Sequence, residues 1–101
     1  MTCQEVAFAR GLCRIEVSDC GAKAGMHQFS ARLWIVDDDR TKHALVDGAG
    51  RPIEIHASSE ALAISTATTF LASRFGALTE YGHVCEDFDN PPQPAGPVVI
   101  K

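Results

Sequence analysis

A chain of 101 residues with a net charge of −4 is sized for one hydrophobic core. Its 46% apolar and 22% charged content excludes a disordered chain, and no apolar run approaches the roughly 20 residues that cross a bilayer. The nine basic residues are scattered, while "VDDDR" and "CEDFD" hold three each of the thirteen acidic ones, so the footprint needed for phosphate binding is missing and nucleic acid is disfavoured as a partner.

The first residues, 1–10, show little pattern and are expected to form a flexible lead-in. "MTCQEVAFARGLCRIEV" has no basic segment followed by a continuous apolar one, so no secretory signal is expected and the cytoplasm is the default location. From residue 12 a period of two sets Cys13, Ile15 and Val17 against Arg14, Glu16 and Ser18, which predicts a half-buried strand. "SDCGAKAG" is read as a connection, because small residues and glycines punctuate it.

"HQFSARLWIVDDD" is the clearest strand, with Phe29, Ala31, Leu33 and Ile35 on one face and Arg32, Trp34 and Val36 on the other. "DDDRT" predicts a turn, "KHALVD" a further strand, and "DGAGRP" a second reversal in which glycine can adopt positive φ. "PIEIH" is a short strand opened by a proline suited to a first or edge position.

The helix begins at Ser58 or Ser59, with Glu60 placed where the helix dipole favours an anion. Ile64, Ala67, Leu71, Phe75 and Leu78 recur at steps of three and four and predict the buried stripe. Arg74 and Gly76 mark the end. "TEYGHVCE" alternates Tyr81, His83 and Cys85 against Val84 and predicts a last strand. After it comes a Pro-rich tail over 89–101, in which "DNPPQPAGP" is not expected to join a ladder and the apolar "VVIK" has no assigned place. The fold class expected is therefore α+β: a small, mostly antiparallel sheet in the order β-β-β-β-α-β, with one helix on one face and one domain over 11–88.

The four cysteines are expected to be reduced, with Cys13 and Cys85 packed as small hydrophobes. Their spacing contains no zinc knuckle, and a metal site would need Cys13, Cys85 and His83 to converge with a further ligand such as His27. Cys20, between small residues in a loop, is the most exposed thiol, but an acidic chain offers few settings that activate one. Asp37, Asp38 and Asp39 lack the spacing of a calcium loop. "DGAGRP" precedes a strand and so lacks the helix N-terminus of a phosphate loop. No catalytic residue, metal or cofactor is assigned.

Residues 27 to 76, three strands and a helix, resemble in topology the small DNA-binding arm domains of phage-type integrases, and more loosely the double-stranded RNA-binding folds. The resemblance implies basic and aromatic side chains on the sheet; here Arg32, Lys42 and Arg51 stand against Asp37, Asp38, Asp39 and Asp47.

Trp34 is the residue that suggests a function. It is expected on the sheet face away from the helix, flanked by Arg32 and Val36, where a large aromatic marks a contact surface. The expected function is that of a small cytoplasmic accessory domain without catalysis, bacterial in character, pairing with itself as a homodimer or with a protein partner. A nucleic-acid-associated module or acidic inhibitor from a mobile element is the second reading, and a metal- or thiol-dependent enzyme the third.

Overall fold

The computed structural model describes residues 2–23, 25–85 and 92–100; for Lys23 and residues 81–84 it describes the backbone alone. Among the described residues seven strands form one sheet. They are β1 (Thr2–Phe8), β2 (Gly11–Lys23), β3 (Met26–Val36), β4 (Thr41–Val46), β5 (Glu54–Ala57), β6 (Leu78–Val84) and β7 (Gln93–Val99), with α1 (Glu60–Phe75) between β5 and β6. The path is β6-β1-β2-β3-β4-β7, and β5 pairs with β3. The α+β class stands, but the sheet is larger than expected and mixed, because β7 runs parallel to β4.

Three sequence expectations are corrected. The supposed lead-in is β1, an antiparallel neighbour of both β2 and β6, and it places Val6 and Phe8 in the core. Of the supposed connection, "SDCGAK" continues β2 rather than leaving it. A register shift between Asp19 and Gly21 absorbs the extra residue, and Gly21 takes φ 79°, as a bulge requires.

The proline-rich tail does join the sheet, as β7. It lies at an edge, where Pro94 and Pro97 lose no central ladder bond. "VVIK" thereby finds its place: Val98 and Val99 register with Leu45 and Val46, and Ile100 N–H donates to the Val46 carbonyl at 2.8 Å.

β4 and β5 lie beside successive stretches of the same strand, β3. Between them "DGAGRP" makes an excursion closed by a Val46–Pro52 bridge and by Asp47, whose Oδ1 accepts from the N–H groups of Ala49 and Arg51 at 2.9 and 3.0 Å. Those two backbone bonds, Arg51's first, hold the Asp47 carboxyl below the usual range.

The helix starts where expected. Ser59 is its cap and its hydroxyl oxygen accepts from Leu62 N–H at 3.1 Å. The fully buried stripe is Ala63, Ala67 and Leu71, with Ile64 and Phe75 partly buried beside it; Leu78 already belongs to β6. Against this stripe the sheet packs Cys13, Ile15, Val17, Ala31 and Leu33. Gly76 ends the helix at φ 88°, and its N–H donates to Ala72 O.

Candidate functional site on the sheet face opposite the helix

The pleat sends alternate residues of each strand to opposite faces, so the residues not packed on α1 form a lattice fixed by register. One row runs Glu5, Arg14, Trp34 and Ala44 across β1 to β4. The next runs Cys3, Glu16, Arg32 and Glu54, ending on β5. Trp34 thus lies on the face expected for it, with Arg14 directly across.

The lattice is charged and largely paired. Arg14 is only 8% exposed; its Nε donates to Glu16 Oε2 at 2.9 Å, and its guanidinium lies 3.5 Å from Glu5. Lys42 Nζ donates to the same Glu16 oxygen at 3.0 Å and stands 4.2 Å over the centre of the Trp34 ring. One ammonium therefore serves both a carboxylate and an aromatic face, a cation–π contact that strengthens as water is removed.

Burial pushes the Glu16 carboxyl up, but the hydrogen bonds from Lys42 and Arg14 outweigh it, and the net shift is downward. The buried Oε2 of Glu5 and Nε1 of Trp34 have no hydrogen-bond partner among the described residues. Arg40 approaches that Glu5 oxygen at 4.0 Å.

The residues expected to flank Trp34 behave differently from one another. Arg32 is exposed and pairs with Glu54 at 3.3 Å. Val36 is buried at 7% exposure and packs rather than presenting a surface.

The thiols require a correction. Cys3 and Cys85 form a disulfide across β1 and the end of β6, so not all four cysteines are reduced. No spacing in the sequence identifies this pair, since four cysteines allow three connectivities. Cys85 is buried, as expected, and so is Cys13, whose thiol is pushed up to about 12 by burial and is inert as a nucleophile. Cys20 is exposed.

The metal grouping does not assemble: Cys85 is bound to Cys3, Cys13 lies under the helix, and His27 pairs with Asp19 at 2.6 Å. The side chain of His83 lies outside the described residues. Among those described, no three His, Cys, Asp or Glu side chains gather as ligands of one ion.

The aspartate turn has a local role. Thr41 Oγ1 donates to Asp39 at 2.7 Å, while Asp37 reaches His43 Nε2 at 2.6 Å; Asp38 is exposed. The bond from Thr41 is the main reason the Asp39 carboxyl lies below its ordinary range.

A groove of about 790 Å³ lies between α1 and the β1–β6 edge, lined by Thr2, Gln4, Glu60, Ile64, Thr68 and Leu78 among others. Two of its hydroxyls donate within the chain: Thr2 to Glu60 at 2.8 Å and Thr68 to the Ile64 carbonyl at 2.7 Å.

Among the described residues, no helix is long and apolar enough to cross a membrane. Comparison with known protein families, with curated proteins and with solved structures finds no match for the chain.

Proposed function

We propose that the chain is a small accessory domain without catalysis that pairs with itself, or with a protein partner, through the sheet face opposite α1. One observation carries the reading: the only tryptophan stands half-buried at the centre of that face, ringed by charges. A desolvated aromatic with arginine at its border has the composition of an interface centre and rim. Trp34 and Arg32 supply the contact, and Val36 is buried on the same face.

The nucleic-acid reading weakens on this face, because Arg14, Arg32 and Lys42 meet Glu5, Glu16 and Glu54 and, among the described residues, leave no unbalanced positive stripe. The enzyme reading would need the thiols and His83 in one place, and Cys85 is engaged elsewhere. A cytoplasmic location, proposed from the N-terminal sequence, requires Cys3 and Cys85 to be kept reduced; the disulfide itself suits an oxidising compartment.

Sedimentation of the wild type and of Trp34→Ala, beside their unfolding curves, tests the contact. The expected result is a wild-type dimer or partner complex, and a folded, monomeric variant. A wild type that stays monomeric at high concentration, with a variant destabilised by about 3–5 kcal/mol as for a core aromatic, would return Trp34 to the fold alone.

A further inference from the structure

His43 lies on β4 with acceptors at both ring nitrogens. Nδ1 is 2.7 Å from the carbonyl oxygen of Gly96 on β7, and Nε2 is 2.6 Å from Asp37 Oδ2 in the β3–β4 turn. A carbonyl and a carboxylate can only accept, so both contacts are hydrogen bonds only when both nitrogens carry a proton. Neutral imidazole has one N–H and must turn a lone pair toward one of the two oxygens. The Thr41 hydroxyl, 3.4 Å from Nε2, cannot easily relieve this, because it donates to Asp39 at 2.7 Å.

The place of this contact along β7 matters as much as its geometry. The β4–β7 ladder slips between His43 and Leu45, where β4 advances from His43 to Leu45 while β7 advances from Ala95 to Val98. Gly96 falls in that irregularity, and the imidazole takes up its carbonyl. Along the rest of its length β7 is held by its backbone ladder with β4 and by the Gln93 and Ile100 amides. Its side chains are exposed throughout, and Pro94 and Pro97 have no N–H to give.

We propose that His43 is a protonation-dependent clip for the C-terminal strand: the imidazolium fastens β7 to the β3–β4 turn, and loss of its proton loosens β7 from the edge of β4.

The groups around the ring agree. From the turn come Asp37 and Asp39, with Asp38 beside them; Arg10 and Arg40 line the adjoining pocket with Asp37 and Asp38. β3 presents Ile35 opposite His43, and β7 presents Ala95, neither of which titrates. Lys42 points to the other face, toward Glu16. The Gly96 carbonyl first, and then Asp37, raise the His43 pKa above its ordinary value. A histidine raised in the folded state contributes fully below its unfolded pKa and loses that contribution as pH rises through the folded one. β7 is therefore held on the acid side and released on the alkaline side.

The test is amide hydrogen exchange at Gln93 and Ile100, whose N–H groups donate to the carbonyls of Arg40 and Val46. Rates are corrected for intrinsic exchange, and the His43 ring is followed by NMR over the same pH range. Protection at both amides should fall roughly tenfold for each unit by which the His43 pKa is raised, as His43 loses its proton. The Cys85 amide, bonded to Cys3 O, should stay unchanged.

In His43→Gln the two β7 amides should be weakly protected at every pH. In Asp37→Asn, which keeps an acceptor but removes the charge, the His43 titration and the loosening of β7 should move together to lower pH. Wild-type protection that ignores the His43 titration overturns the proposal, as does a His43→Gln protein that keeps the wild-type pH profile. If His43→Gln does not fold, Asp37→Asn decides: separation of the two midpoints also overturns it.

Discussion

Reducing the Cys3–Cys85 disulfide is the sharpest perturbation available, because the bond closes almost the whole chain. Its cysteines are 82 residues apart in sequence. On the chain-entropy relation, opening a loop of that size returns about 15 cal/mol/K to the unfolded state, about 4.5 kcal/mol near 25 °C. A domain of this length is typically stable by about 5–15 kcal/mol, so the loss is a large fraction of the total. In urea, with a slope of about 1.5 kcal/mol/M, the midpoint should fall by about 3 M on reduction.

Cys3→Ala should reproduce that fall, and reductant should then add nothing. Cys20→Ala, at the exposed thiol, should change stability by less than about 0.5 kcal/mol. Alkylation of the denatured protein should give two adducts without reductant, at Cys13 and Cys20, and four after reduction. Four adducts without reductant would refute the bond and restore the reduced, cytoplasmic chain. An unchanged midpoint on reduction would instead mean that the β1–β6 pairing already holds the unfolded ends together.

Two further substitutions probe the helix. Leu71→Ala removes a side chain with no exposure between α1 and the sheet and should cost about 2–5 kcal/mol, whereas exposed Thr69→Ala should change stability by less than about 0.5 kcal/mol; equal denaturant midpoints would misplace the helix's inner face. Gly76→Ala should cost about 1–3 kcal/mol, because φ is 88° there and the new Cβ would meet the Ala9 Cβ at 3.0 Å. A wild-type melting temperature in that variant would show that the chain turns freely between α1 and β6.

β3 and α1 were legible because their apolar residues repeat at one period over enough positions to exclude the other. β1 was not, since Thr2 and Gln4 dilute its inner face and only Val6 and Phe8 mark it, while its pairing with β2 and β6 is a long-range property. β7 was hidden by its prolines, which argue against a strand except at an edge, and a sequence does not say which strand will be the edge. The face of Trp34 followed from the pleat. Its neighbours in the next strand did not, because Arg14 and Ala44 arrive there only through register. His43 and Asp37 are close in sequence, but the Gly96 carbonyl comes from the far end of the chain.

The two faces of the sheet differ in what holds them. The helix side is closed by apolar contact among Ile15, Leu33, Ala67 and Leu71, and supplies stability in proportion to area. The other side is built from largely buried ion pairs, Arg14 with Glu16 and Lys42 with Glu16, whose attraction is largely offset by the water each charge gives up. Such pairs add little to the fold, yet they fix where each charge stands and hold Lys42 over the Trp34 ring. An apolar substitute of similar shape would stabilise the isolated domain at least as well. A face that forgoes that gain and keeps an ordered alternation of charge around one aromatic is better suited to choosing and orienting a partner, because misplaced like charges across an interface cost several kcal/mol. The proposed contact is accordingly centred on Trp34 rather than on the groove beside α1.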